Sequence, residues 1–259
     1  MTSTTRSTAA TLRAAIAEAT SNRAAFAFQA TVMILNDLAW VGFWVIFFHK
    51  TGTVKGWNTS EVLLLQAVLT GAGGLTLGFL ANSRHLSKLI SDGALDSALA
   101  LPVHPLAFLL VRRFDTTAVG DVLFGTSLFL IAGHPSVERT IVFVGGTIVA
   151  TVLLTSFLVF VGSLTFFTGR SDGADMGFNS ILVLSGYPVD LFGGSSKFFL
   201  YTIVPAAFVA TVPARLIQHF DIKSATEMLM VTTLFVIAAV FTFRLGLRRY
   251  ASGSVWTRA

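Results

Sequence analysis

Residues 83–105 have the sequence SRHLSKLISDGALDSALALPVHP, a polar and basic stretch between two long apolar runs. The run before it, Glu61 to Ala81, carries no charge after Glu61, and another mainly apolar run, Thr116 to Gly133, follows it. A water-facing segment between two membrane-length runs lies on one side of a bilayer, and short loops rich in Lys and Arg stay in the cytoplasm. The stretch therefore predicts a cytoplasmic loop.

The pattern within this loop predicts two short helices. Ser83 can cap the first helix and Gly93 can end it. Its apolar stripe consists of Leu86, Leu89 and Ile90. Residues 94–101 can form the second helix, which Pro102 closes. Such a loop suits a membrane protein on which a soluble partner must act.

Composition places the whole chain in a membrane. Of its 259 residues 54% are hydrophobic and only 12% charged, and the mean hydropathy is +0.76, whereas about a quarter of a soluble domain is charged. The net charge of +5 does not indicate nucleic-acid binding, because the basic residues flank apolar runs. The chain has no Cys, which excludes disulfides and thiolate metal sites.

Apolar runs divide the chain into an interfacial N-terminal segment (1–23), a membrane domain (24–250) and a cytoplasmic tail (251–259). The predicted fold is an all-α integral membrane protein with six transmembrane helices in a hydrocarbon core of about 30 Å, of which the fifth is short for a full crossing. The spans are placed at residues 24–48, 60–81, 106–133, 140–168, 176–188 and 228–247. Prolines 188, 205 and 213 interrupt the segment after the fifth span, which predicts re-entrant half-helices near the outer face.

The distribution of basic residues gives the orientation. Twelve of the 18 Lys and Arg residues fall on the side of the 83–105 loop when six spans are assumed. The sequence therefore predicts that both termini and this loop are cytoplasmic.

Three motifs carry a resemblance to a known family. They are Gly93-Ala94-Leu95-Asp96 in the loop, Tyr187-Pro188 late in the fifth span, and PAAFVATVP from Pro205 to Pro213. In this order among six spans they resemble an ABC type-2 exporter permease, in particular a bacterial subfamily with Gly-x-Leu-Asp in its first cytoplasmic loop. The resemblance covers nearly the whole chain.

The resemblance implies an assembly in the bacterial inner (plasma) membrane. Two six-span permease subunits, either identical copies or a related pair, would work with a dimer of cytoplasmic ATP-binding cassette ATPase subunits. ATP and Mg²⁺ would bind to the ATPase, so no cofactor or metal is expected in this chain. An apolar or amphipathic substrate would move outward; the chain's 24 Phe residues suit such a substrate and suit lipid contact equally well.

In this family the first cytoplasmic loop forms a coupling helix that sits in a cleft of the ATPase. The resemblance assigns ATPase coupling to Arg84, His85, Leu86, Lys88, Leu89, Asp92, Gly93 and Asp96. Among them Arg84, His85 and Lys88 are the expected polar contacts, and Asp92 and Asp96 would brace the two short helices. On the alternative interpretation, Arg84 and Lys88 only enforce topology and contact lipid headgroups.

The first span contains an ionisable group near its middle. Asp37, next to Asn36, lies where charged groups are costly and commonly face a cavity or a partner. Asp37 is either on the substrate path or a structural carboxylate in a polar contact between helices. Gly42 and Phe43, with Phe192, are the candidate subunit interface, an assignment that rests mainly on the resemblance.

Two other classes of protein are possible from the sequence. A secondary transporter would usually show interrupted helices in corresponding halves, and a single interrupted region is found. An integral-membrane lipid-modifying enzyme would need a complete constellation of acidic or His residues, and none is found. The stretch GAGGLTLG, residues 71–78, lacks the Lys and Ser/Thr of a nucleotide loop. Its small residues instead predict close packing between membrane helices.

Overall fold

The computed structural model describes residues 3–169 and 172–250, which form an all-α fold. The helices are α1 (Ser3–Thr20), α2 (Arg23–Thr51), α3 (Thr59–Phe79), α4 (Asn82–Ser91), α5 (Leu95–Leu99), α6 (Pro105–Val111), α7 (Thr117–Ala132), α8 (Val137–Ser163), α9 (Thr165–Thr168), α10 (Asp172–Ser185), α11 (Gly194–Thr202), α12 (Val212–Gln218) and α13 (Ile222–Leu247). A 3₁₀ turn (Val189–Leu191) precedes α11, and a π-helical turn (Ala207–Thr211) leads into α12. The predicted tail, residues 251–259, lies outside the described residues.

The helices confirm an all-α membrane protein. Among the described residues, α2, α3, α8 continued by α9, and α13 are long and apolar enough to span a bilayer. The pair formed by α11 and residues 207–218 is bent by 73° and can form a fifth, broken span or a re-entrant loop. Helices α7 and α10 are apolar but shorter, so the count of six spans stays a prediction.

The predicted third span, residues 106–133, is divided into two helices. Its first part forms α6, and α7 begins only at Thr117. Asp115 stabilises this new start, because its carboxylate accepts hydrogen bonds from the backbone N–H (3.1 Å) and the hydroxyl (2.7 Å) of Thr117. At the end of α6, the buried Asn82 side chain donates a hydrogen bond to the carbonyl of Leu109 (2.7 Å). A single continuous span was therefore the wrong expectation here.

Glycines bring α3 and α7 into close contact. A Cβ on Gly74 would lie 2.8 Å from the carbonyl oxygen of Ala118, and a Cβ on Gly78 would lie 2.9 Å from the Cβ of the same residue. Glycine at these two positions, four residues apart, lets the two backbones approach. The predicted role of the 71–78 stretch in helix packing is confirmed.

The broken segment after α10 satisfies its free backbone groups with side chains. Gln66 of α3 donates a hydrogen bond to the carbonyl of Gly186 (3.0 Å), and the hydroxyl of Thr211 accepts one from the backbone N–H of Val189 (3.2 Å). The π-helical turn ends two residues before Pro213, which lies in the first turn of α12 and has no N–H to donate. The predicted irregular segment is thus present, and the backbone groups of Gly186 and Val189 are paired within the protein.

The predicted inner and outer segments lie at opposite ends of the bundle. At one end a hydrophobic cluster joins the loop helices α4 and α5 to α6 and to the carboxyl-terminal parts of α8 and α13. At the other end, Trp57 contacts Asp190, and Ser60 donates a hydrogen bond to the carbonyl of Ala132. This arrangement places the segments predicted to be inside and those predicted to be outside at different ends of the bundle.

Candidate functional site: the loop helices and an intramembrane cleft

Helix α4 differs at its start from the predicted capped helix. It begins at Asn82, and Ser83 is a buried residue inside its first turn rather than its cap. The reason is that α4 follows α3 almost directly, and the backbone N–H of Ser83 bonds to the carbonyl of Leu80 (2.8 Å). The predicted end is confirmed, because Gly93 has φ of +74°, a conformation that favours glycine.

The apolar stripe of α4 packs onto the protein itself. Leu86 is fully buried, and its Cβ lies 3.1 Å from where a Cβ on Gly162 of α8 would be. Ile90 is buried in the same cluster, and Leu89 is partly buried against it. Leu86 therefore cannot supply the docking surface expected of it, because it already anchors α4 to α8.

The opposite face of α4 is charged and accessible. Arg84, Lys88 and Asp92 are exposed and share one face at helical spacing, and Asp96 is exposed in the first turn of α5. The Arg84 guanidinium lies over the ring of Phe178 in α10, 4.6 Å from its centroid. His85, by contrast, is only partly exposed. The structure thus brings the charged candidates to one surface, while their role in coupling stays a prediction.

A cleft of about 180 Å³ lies between α2, α3, α7 and α10. Asp37 of α2 and Asp121 of α7 both line it, with exposed fractions of 6% and 5%. Their carboxyl groups lie next to each other. Asp37 Oδ2 and Asp121 Oδ1 have no hydrogen-bond partner among the described residues. The sequence singled out Asp37 but not this pairing, since nothing in it places residues 84 positions apart side by side.

The rest of the cleft is mainly apolar. Its walls are formed by Met33, Asn36, Trp40, Gln66, Leu69, Thr70, Gly73, Leu77, Leu182, Val183 and Gly186. Two of the polar groups there are already used, because Gln66 bonds to Gly186 and the Thr70 hydroxyl donates to the carbonyl of Gln66 (2.8 Å). The cleft therefore combines an apolar surface with one strongly polar point at the two carboxyl groups.

An aromatic group lies at the mouth of the cleft. Asn36 and Trp40 also line a neighbouring depression that reaches Phe43 and Tyr187. The Tyr187 ring contacts both Trp40 and Trp44 edge-on, with centroids 6.1 and 5.5 Å apart. The cleft thus lies next to this aromatic group on the carboxyl-terminal half of α2.

The predicted interface residues occupy different environments. Phe43 is 48% exposed, and Gly42 has open space where a Cβ would be. Phe192 is partly buried and packs on Tyr187, with centroids 6.4 Å apart. The prolines of the broken segment, Pro188, Pro205 and Pro213, are buried. Contact with a second subunit is therefore available to Phe43, while Phe192 contributes mainly within the chain.

An ion-pair network ties the broken segment to the end of the bundle that holds Trp57. Asp190 accepts from Lys197 (2.8 Å), Arg215 (2.7 Å) and the indole N–H of Trp57 (3.1 Å). Burial alone would raise the pKa of Asp190, but the hydrogen bonds from Lys197 and Trp57 and the charge of Arg215 lower it below its ordinary value. Sequence reasoning missed this network because its members come from three separate segments.

A comparison with protein families identifies the class of protein. The model of the ABC-2 family transporter proteins matches residues 34–254, most of the chain. The chain therefore belongs to the ABC-2 transporter family, a family of multi-pass membrane transport components that associate with ATP-binding cassette ATPases and are generally not catalytic themselves. Comparisons with curated proteins and with solved structures gave no match.

Proposed function

We propose that this chain is the transmembrane permease subunit of an ATP-driven exporter, which moves an apolar or amphipathic substrate outward. ATP and Mg²⁺ bind to a separate ATPase dimer, and a second permease subunit, identical or related, completes the complex in the bacterial inner membrane. Both termini of the chain lie in the cytoplasm. The intramembrane cleft at Asp37 and Asp121 is the proposed substrate path.

One observation carries this proposal: α4 has a charged exposed face and a buried face locked onto two membrane helices. Arg84 and Lys88 are available to a soluble partner, while Leu86 and Ile90 pack with residues of α8 and α13 such as Val159 and Phe243. Because packed helices move as rigid bodies, a displacement of the exposed face would be carried into the bundle. That is the behaviour required of a coupling element.

The experiment is co-purification with the partner ATPase, followed by measurement of substrate-stimulated ATP hydrolysis. The double variant Arg84→Ala/Lys88→Ala is expected to retain much less ATPase than the parent. Its control is Lys223→Ala, which removes a basic residue from the opposite end of the bundle. Transport driven by an ion gradient without any ATPase would overturn the proposal in favour of a secondary transporter.

A further inference from the structure

We propose that the intramembrane cleft binds a protonated amine attached to an apolar body, with Asp37 and Asp121 accepting hydrogen bonds from the ammonium group. This inference rests on the proposed function only in taking the bound amine to be the transported substrate. The binding itself can be measured without transport.

The carboxyl groups of Asp37 and Asp121 leave hydrogen-bond acceptors unpaired in mainly apolar surroundings. Both side chains are more than nine-tenths buried and line the cleft next to each other, and one oxygen of each has no hydrogen-bond partner among the described residues. An unpaired polar atom in an apolar site costs free energy, and charged groups within a membrane are usually paired or face a cavity. The described lining of the cleft contains no basic residue. A positive group that pairs with these carboxyl groups would come from a ligand.

The lining favours an organic cation over a metal ion. A divalent cation such as Ca²⁺ takes six to eight oxygen ligands, whereas the lining of this cleft is mainly apolar. The described residues hold no group of three or more potential His, Cys, Asp or Glu ligands. An ammonium group needs only a few acceptors, which the two carboxylates supply.

The apolar walls of the cleft indicate that the part of the ligand other than its ammonium group is apolar. Leu69 and Leu182 face the cleft, and Trp40 at its mouth offers an aromatic surface for an apolar group or for a cation. A compact amine with a phenyl ring therefore fits both the polar point and the walls. An uncharged compound of the same shape would use the walls alone.

The test uses the full-length chain in lipid nanodiscs and radiolabelled 4-phenylbutylamine, which is protonated at pH 7. Unlabelled amine and 4-phenylbutanol compete for the site at equilibrium. Because the alcohol lacks the charge, it is expected to compete at least about tenfold less well than the amine. Asp37→Asn and Asp121→Asn are each expected to weaken amine binding by a similar factor. Glu138→Gln removes an exposed carboxylate at the start of α8 and should leave binding unchanged.

Two results would overturn the proposal. Equal competition by the alcohol would mean that the carboxyl groups satisfy each other by sharing a proton, and this comparison needs only the parent protein if an Asn variant fails to fold. Unchanged amine binding in both folded Asn variants would place the ligand elsewhere. If the amine binds as expected but no ATP-driven transport is found, the proposed function fails and the ligand class of the cleft stands.

Discussion

Leu86 of α4 lies directly on Gly162 of α8, so closely that a Cβ on Gly162 would be 3.1 Å from the Cβ of Leu86. Glycine at position 162 thus allows the loop helix to pack against the membrane bundle. The contact decides which face of α4 can meet a partner, because a fully buried side chain cannot contact a second protein.

Replacing this side chain should loosen the loop without removing its charged surface. Leu86→Ala is expected to lower the free energy of unfolding by about 2–5 kcal/mol, since it leaves a cavity in the packed cluster. Substrate-stimulated ATP hydrolysis should fall, while the ATPase still co-purifies. The control Leu99→Ala changes a leucine of α5 that is 45% exposed and should alter stability little. Loss of the ATPase from Leu86→Ala with unchanged thermal stability would show that Leu86 contacts the partner after all.

Single cysteines should report the orientation of the bundle, and the chain has none of its own. His219→Cys and Glu138→Cys are expected to react with a membrane-impermeant maleimide added to intact cells. Ser91→Cys, which is also exposed in the structure, should react only after the membrane is opened. Labelling at position 91 in intact cells would show that the orientation is the opposite of the predicted one.

The exposed face of α2 should meet the second permease subunit. Phe28, Leu35 and Ile46 are 71%, 59% and 61% exposed on this helix. A photo-crosslinking amino acid in place of Phe43 is therefore expected to capture a permease subunit, whether identical or related. The same probe at Ile148, an exposed residue of α8, serves as the control. Capture from position 148 and none from position 43 would contradict the predicted interface.

Adding one methyl group between α3 and α7 should destabilise the bundle. Gly74→Ala would place a Cβ 2.8 Å from both the carbonyl oxygen of Ala118 and the Cβ of Asp121. The backbone must shift, which costs about 1–3 kcal/mol, and the thermal midpoint of the purified permease should fall. Gly145→Ala in α8 is the matched control, because its Cβ would meet nothing within 4 Å. An equal midpoint for the two variants would mean that α3 and α7 are not in close contact in the membrane.

Local patterns in the sequence predicted local features. The polar loop, the helix end at Gly93, the glycine stretch and the broken segment after α10 all depend on residue type and near neighbours, and the structure contains each of them. The predicted start of α4 was wrong. Ser83 is a good cap in isolation, but the helix begins one residue earlier, directly after α3.

Features that depend on tertiary contacts were not predictable from one sequence. Asp121, like Asp37, is an acidic residue within an apolar run of the sequence. Only the packing of α2 on α7 places the two side chains next to each other. Similarly, the stripe of Leu86 and Ile90 was correctly predicted as apolar, but periodicity cannot say whether such a stripe faces a partner or the protein's own core.

The Asp190 network should make the end of the bundle that holds the broken segment sensitive to acid. The pKa of Asp190 is lowered from its ordinary 3.8, so the folded protein favours the ionised carboxylate. Its stabilising contribution is complete above pH 3.8 and is lost as the pH falls below that value toward the lowered pKa.

Asp190→Asn should lower the thermal midpoint at pH 7, because Lys197 and Arg215 lose their shared counter-ion. The difference between the parent and Asp190→Asn should then shrink as the pH falls below 3.8, because Asp190 is protonated in the unfolded chain first and in the folded protein only at a lower pH. Glu138→Gln, for which no such network exists among the described residues, should show no comparable difference at either pH. If the gap between the parent and Asp190→Asn instead stays constant down to pH 3, the carboxylate charge does not hold the broken segment in place.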